Sequence, residues 1–259
     1  MLLLALDTST RQSSVALCTE DELLGEYVWN AGTNHSVELL GHIQRMLADC
    51  QLTMKQVDAV AVATGPGSFN GVRVALSTAK ALAFALKKPL LGVSTLDIIA
   101  VQQQQWRAPV CAALEAGRGE LYAASYLFDE VPEINGYMTY HMHRLSDYLL
   151  LSPQHLGAYL LEHANEWVGV PGERSLPPFL FCGEISTASL QVLHEHMQEN
   201  CLFVPRLQAA RRSSVLATQA LQRLHNGEED NPLLLEPLYL RRPSITTSTR
   251  KRALLGGIN

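Results

Sequence analysis

The sequence predicts an α/β protein made of two lobes of related design, and three observations carry this reading. Apolar runs of strand length alternate with longer segments whose apolar residues recur at helical spacing. A strand–turn–strand pattern at 2–18 returns at 110–128. Between an apolar strand and an Ala-rich helix lies Gly65-Pro66-Gly67-Ser68-Phe69-Asn70-Gly71-Val72-Arg73, a turn that few other residue types could follow.

Taken in order, Leu2 to Leu6 reads as a first strand ending in Asp7-Thr8-Ser9-Thr10, with Ser14–Cys18 and Leu23–Trp29 as the second and third. A helix from about 36 to 50 sets Leu39, Leu40, Ile43, Met46 and Leu47 on one stripe. Ala59–Ala63 has the unbroken apolar character of a buried parallel strand. The following helix, 70–87, has apolar residues at 72, 75, 76, 79, 82, 83 and 86 and closes at Lys87-Lys88-Pro89. Leu90–Val93 is a strand, and Ser94-Thr95 caps a helix running to about Gln105.

The second set of strands opens at Pro109–Leu114, turns at Gly117-Arg118-Gly119 and returns over Leu121–Phe128. From 129 to 178 the chain is polar and rich in Pro and His, and only 153–163 reads as helix. Phe179–Gly183 is a core strand and turn, followed by helices near 187–199 and 211–225. The expected organisation is a first lobe over 1–106, a second, degenerate lobe over 107–242, and a disordered tail over 243–259 containing Arg250-Lys251-Arg252.

Composition narrows the function classes. A chain of 259 residues, 47% hydrophobic, can bury a substantial core. A net charge of −5 argues against a stand-alone nucleic-acid binder, which carries a basic face. Five cysteines without C-x-x-C spacing point to unpaired thiols in a reducing cytoplasm, and the short N-terminal Leu run reads as a strand, not a signal peptide. No apolar stretch approaches the ~20 residues of a membrane span.

Two motifs carry the chemistry. The glycine-rich turn delivers backbone N–H groups and Arg73 to a helix N-terminus, where anions are favoured, although no Lys-Ser/Thr pair makes it a Walker A loop. A strand ending in Asp7, with hydroxyls and an antiparallel strand behind it, is the phosphate-facing hairpin of the actin/Hsp70/sugar-kinase fold, in which the Asp handles a magnesium-bound nucleotide. Asp7, Thr8, Ser9, Gly67, Ser68 and Arg73 are the candidate phosphate-facing set, and a plain turn cap is the bland alternative.

Further blocks make the pattern specific: His35-Ser36, Gly92-Val93-Ser94-Thr95-Leu96, Arg118-Gly119-Glu120-Leu121-Tyr122 and Glu236-Pro237-Leu238-Tyr239-Leu240-Arg241. With these in order, the chain resembles the bacterial TsaB (YeaZ) family, partner of TsaD in making threonylcarbamoyladenosine (t6A) in tRNA. The resemblance implies a two-lobed actin-like fold with a truncated second lobe and a cytoplasmic, non-catalytic scaffold. Such a scaffold pairs with TsaD through first-lobe helices and is joined by TsaE as an ATPase. It self-pairs when TsaD is absent, meets tRNA only within the complex, and has no cofactor of its own beyond ATP or ADP at the complex interface.

The residues expected at the partner surface are Leu39, Ile43, Met46, Val72, Ala75, Ala79 and Ala83. The Ala-rich helix has more small-residue surface than one sheet can cover, and uncovered apolar patches mark partner sites. TsaD carries a His-x-x-x-His pair on the helix after its counterpart of Gly92-Val93-Ser94; the stretch 94–100 here has no histidine, so no metal site is expected. His141/His143 and His194/His196 are i, i+2 pairs that could chelate only from an extended segment. His35 and His42 share a helical face without a third ligand. The competing reading is an independent ATPase or sugar-type kinase, with Asp7, Thr8, Gly67 and Ser68 facing phosphate and Glu115 or Glu120 as base or ligand. A metalloprotease is disfavoured for want of H-E-x-x-H.

Overall fold

The computed structural model describes residues 1–31, 35–132, 138–168 and 177–241. In the first lobe, β1 (Leu3–Asp7), β2 (Gln12–Cys18) and β3 (Leu23–Asn30) form an antiparallel meander. After helix α1 (His35–Asp49), strand β4 (Ala59–Ala63) pairs in parallel with the other edge of β1. Helix α2 (Phe69–Leu86) then leads to β5 (Leu90–Val93), giving the order β3-β2-β1-β4-β5.

The second lobe repeats this order. After α3 (Thr95–Val101) come β6 (Val110–Gly117), β7 (Glu120–Pro132) and β8 (Met138–Arg144) as a meander, and β9 (Leu149–Leu151) pairs with β7. Helices α4 (Pro153–Val168) and α5 (Thr187–Met197) flank β10 (Phe179–Cys182), and β11 (Cys201–Phe203) closes the sheet as β11-β10-β6-β7-β8. Two sheets sharing one five-strand order, the second with β9 added as a sixth strand, joined in this way are the actin-like architecture.

The segment 129–178 is more regular than its composition predicts: it holds the end of β7, all of β8 and β9, and α4. β8 is an edge strand with no fully buried residue: Met138, Tyr140 and Met142 alternate with Thr139, His141 and His143, and Tyr140 and Met142 pack on the second-lobe core, a period of two that the polar, His-rich composition of the segment obscures. In the second lobe β10 and β11, at four and three residues, are each one residue shorter than β4 and β5, while β6 and β7, at eight and 13, are longer than β1 and β2 at five and seven, and the topology is kept. The basic tail lies outside the described residues.

Residue size decides which helix covers which face. In β4, Val60 and Val62 point to the side packed by α1 and α2, with Leu39, Ile43, Met46, Ala75 and Ala79. Ala59, Ala61 and Ala63 point to the opposite side. There Leu216, Ala217 and Ala220 of α6 (Ser213–His225) lie against them, and alanine on both surfaces lets helix and sheet approach closely. Thus α6, which follows the second sheet in sequence, packs on the first. In return α3 packs Leu96, Ile99 and Ala100 against Val110, Ala112 and Tyr126 of the second sheet. Each lobe therefore completes its core with the other's last helix.

Two details fix the docking. Asp97 of α3 accepts hydrogen bonds from Tyr126 Oη at 2.7 Å and Tyr148 Oη at 3.1 Å. Burial nonetheless holds its carboxyl above the usual carboxylate range, outweighing the two hydroxyls and Arg144. In the glycine-rich turn, Ser68 N donates to Ser9 O at 2.6 Å and Thr8 Oγ1 to Gly71 O at 2.6 Å, pressing the α2 N-terminus onto the end of β1. A Cβ at Gly67 would lie 2.2 Å from Ser9 O, and one at Gly71 2.0 Å from Thr8 O.

Backbone oxygens cannot yield as a side-chain tip can. Gly67→Ala and Gly71→Ala should therefore each lower stability by roughly 1–3 kcal/mol, read as a lower urea midpoint at unchanged slope. Gly41→Ala, whose Cβ meets nothing within 4 Å, should not.

A second expectation concerns pH. The folded protein holds the Asp97 proton more tightly than the unfolded chain, so this contribution to stability is present in acid and is lost as pH rises from the ordinary Asp range through the raised value. Thermal unfolding between about pH 4 and 7 should show a flatter profile for Asp97→Asn and a steeper one for Tyr126→Phe, which removes a donor to the carboxylate. A profile unchanged in both would place the relevant titration elsewhere.

Candidate functional site

The loops that follow β1, β4, β6 and β10 meet in a cleft between the lobes, where ligands of doubly wound α/β proteins are bound. It has a volume of about 1180 Å³. Its walls include Thr10, Gly67, Ser68, Glu184, Tyr122 and Arg206.

At the floor lies a residue to which neither periodicity nor motif points. Arg211, two residues before α6, is the largest fully buried side chain among the described residues, 1% exposed. Its Nε donates to Asp7 Oδ2 at 2.8 Å, and Asp7 is itself 1% exposed. Its Nη2 donates to Thr10 Oγ1 and to Gln12 O, both at 2.9 Å, and its Nη1 donates to Glu184 of the second lobe. Thr10 Oγ1 donates its own proton to Glu184 Oε1 at 2.7 Å. Burial alone would push the guanidinium down, but the Asp7 and Glu184 carboxylates outweigh it and hold the group above its ordinary value. An arginine ahead of a helix gives no sequence signal for this; only the tertiary contact does.

This changes the reading of the phosphate-facing set. Gly67 and Ser68 line the cleft. Asp7, Thr8 and Ser9 do not: they are buried beneath it at 1%, 0% and 0% exposure. Ser9 N donates to Asp7 Oδ1 at 2.8 Å, Ser9 Oγ donates to the same oxygen, and Thr8 is spent on Gly71 O. Arg73 turns away from the cleft floor, its guanidinium 3.8 Å above the Phe69 ring and bonded to Tyr239 Oη at 2.8 Å. Both Asp7 oxygens are occupied by protein donors, so the magnesium-bound nucleotide that the fold implies does not fit these residues as they stand.

The residues named for the kinase reading are also engaged. Glu115 Oε1 accepts from Ser186 N at 2.9 Å and Ser189 Oγ at 2.7 Å, capping α5. Glu120 pairs with Arg241, which also donates to Ala116 O at 3.1 Å. The 236–241 block thereby crosses the cleft rim, and Leu238 N donates to Thr64 O at 2.8 Å.

Among the described residues, no three His, Cys, Asp or Glu side chains are arranged to hold a metal ion. His141 and His143 do share a face of β8. Yet His141 (3.0 Å) and Asp129 (2.9 Å) both contact the same His143 nitrogen, a hydrogen-bonded chain and not a converging ligand set. His42 stacks on Trp29 at 4.3 Å, and the side chain of His35 lies outside the described residues. All five cysteines are free, and burial raises Cys18 to about 11 and Cys111 to about 12, which makes inert thiols of them.

The partner-surface residues need the clearest correction. Leu39, Ile43, Met46, Val72, Ala75, Ala79 and Ala83 are each at most 2% exposed; all but Val72, which lies against Gly65, belong to the first-lobe core. The stripe with the cleanest helical spacing is the one the sheet buries. The outer face of α2 is the out-of-phase set Arg73, Ser77, Ala81, Phe84 and Ala85, with Phe84 80% exposed. On α1 the outer face includes Leu40, Gln44 and Ala48. No helix among the described residues is long and apolar enough to cross a membrane.

Comparison with known proteins agrees with the fold. The family model for TsaD, tRNA N6-adenosine threonylcarbamoyltransferase, matches residues 29–249. The tRNA threonylcarbamoyladenosine biosynthesis protein TsaB of Escherichia coli K12 is 33% identical over 184 residues, 66% of this chain and 71% of the relative. TsaB of Bacillus subtilis is 34% identical over 128 residues, 49% of this chain; the match spans only 56% of that relative's length. Among solved structures, YeaZ from Pseudomonas aeruginosa has a TM-score of 0.69 at 27% identity, covering 92% of this chain and 99% of that one. A second P. aeruginosa structure, described as similar to peptidase YeaZ, has a TM-score of 0.71 at 28% identity, covering 93% and 99%. A family model spanning most of the sequence, a TsaB matched over more than two thirds of its own length and the shared two-lobed fold together show that this chain belongs to the TsaB (YeaZ) family.

Proposed function

We propose that the chain works in t6A formation as a non-catalytic subunit. It pairs with a TsaD-type catalytic partner and supports transfer of the threonylcarbamoyl group to the tRNA adenosine beside the anticodon. Family membership supports the process, and one structural observation carries the scaffold role: the outer face of α2. There Phe84, 80% exposed, stands beside Ala81 and Ala85, and α1, which packs against α2, adds exposed Leu40. A large aromatic left in water on a helix face of otherwise small residues is a knob for another helix to receive.

On this reading the two helices are bifunctional, their inner stripes building the first lobe and their outer stripes receiving the partner. The same surface serves a second copy of the chain when TsaD is absent. A TsaE-type ATPase joins the assembled pair, and any ATP or ADP belongs at the interface between subunits. With its net charge of −5, the chain meets tRNA only through the complex.

Sedimentation of the purified chain with TsaD from the same cell tests the assignment. The wild type should co-sediment. Phe84→Glu and Ala81→Arg, both on solvent-facing positions, should keep the melting temperature of the free chain. Each should weaken pairing by about 30-fold or more, the loss expected of a buried aromatic anchor. Pairing retained in the double variant would put the interface on another surface.

A further inference from the structure

We propose that Arg211 is a built-in cation standing where a nucleotide-binding protein of this fold would need a metal ion, so that this chain's cleft is closed to divalent cations by its own side chain. The geometry points to replacement and not to an ordinary surface ion pair. The guanidinium lies between the two carboxylates that face each other across the lobes, Asp7 at the end of β1 and Glu184 after β10. It also reaches the Thr10 hydroxyl and the Gln12 carbonyl. Carboxylate, carboxylate, hydroxyl and carbonyl are the oxygen donors that a hard divalent cation collects. Here they are gathered around a planar cation whose fork of N–H donors matches them one by one.

A metal ion could not share this space. It would have to expel a side chain that is 1% exposed, or sit within a few ångströms of a second positive charge where little water screens the repulsion. The guanidinium also never loses its proton, so the arrangement holds at every working pH. Because Glu184 belongs to the second lobe while Asp7, Thr10 and Gln12 belong to the first, the same contacts latch the lobes together without any ligand. The inference is independent of the partner surface on α2.

Thermal unfolding in the presence and absence of millimolar Mg²⁺ or Mn²⁺, with Tb³⁺ luminescence as a binding readout, tests this. The wild type should show no metal-dependent shift and no Tb³⁺ signal from the cleft. Arg211→Ala should melt lower by about 10 °C, since it leaves the buried Asp7 carboxylate uncompensated and the half-buried Glu184 without its partner. It should recover part of that loss when Mg²⁺ or Mn²⁺ fills the emptied oxygen cage, because a ligand bound only by the folded state stabilises it. Adding Asp7→Asn to Arg211→Ala should abolish the metal response, and Arg211→Lys, which keeps a cation there, should show none. Metal-dependent stabilisation of the wild type that Asp7→Asn removes would overturn the proposal. So would an Arg211→Ala protein that folds yet ignores metal. Should Arg211→Ala fail to fold without metal, refolding with Mn²⁺ present decides the matter: recovery supports the cage, and failure with Mn²⁺ as well as without overturns it.

Discussion

The buried ion pair between Arg211 and Asp7 is the constraint on which the rest of the arrangement rests. Two groups that are each 1% exposed have left water, at a desolvation cost of several kcal/mol per ion. That cost is tolerable only when every donor and acceptor finds a partner. Ser9 supplies both donors to one Asp7 oxygen, Arg211 takes the other, and Thr10, Gln12 and Glu184 accept three more of the guanidinium protons. The network specifies more than it stabilises. Because Arg211 stands two residues before α6, next to its N-cap Arg212, its contacts fix where that helix begins. The adjacent pairing of Ser213 Oγ with Ser14 Oγ at 2.8 Å then holds the helix against β2.

Placed so, α6 has to lie on the first sheet. That face of β1, β2 and β4 shows Ala5, Ala16, Ala59, Ala61 and Ala63, with Leu3, Leu91 and Val93 around them, and the shallow patch lets a helix with small residues at its centre approach closely while its leucines pack beside it. Ala217 and Ala220 are those small residues. The other face of the same strands carries Leu4, Leu6, Val60 and Val62 and takes the bulkier stripes of α1 and α2. Alternation along β4 therefore sorts helices by size, and the polar latch supplies the register that alanine contacts alone would leave loose.

Most of the fold is legible in the sequence because its elements obey simple periods. Ala59–Ala63, the Gly65–Gly71 turn and the α2 stripe are local patterns, and the structure puts strand, turn and helix there within a residue or so. What is not legible falls into three physical kinds. β11, at three residues, is too short to show a period, and β8 carries its period of two on Met138, Tyr140 and Met142 inside a stretch whose polar, His-rich composition obscures it. On α1 and α2 the apolar spacing points to the inner face and not to a partner face, because a stripe marks whichever surface buries it first, and the chain's own sheet does so. The function of Arg211 depends on contacts 199 to 204 residues away in sequence and 27 residues back, which no spacing rule encodes.

The same distinction explains why a motif can persist in form while its chemistry differs. Thr8 and Ser9 hold the glycine loop against β1, Thr8 through its hydroxyl on Gly71 O and Ser9 through its carbonyl on Ser68 N. Those contacts are structural and survive whatever occupies the cleft. The decisive variable is the free valence of one carboxylate. When Asp7 Oδ2 faces open space, the site can coordinate a cation; when a guanidinium is bonded to it at 2.8 Å, the identical turn is a joint between two lobes. Glu115 and Glu120 follow the same rule, one closing a helix end and the other holding the 236–241 block across the rim. Carboxylates that could have been ligands or bases are each committed to a protein donor. The cleft therefore has walls of mixed polar and apolar character, and beneath them one guanidinium tied to a carboxylate of each lobe, an arrangement fitted to holding the two halves of the chain in one relation.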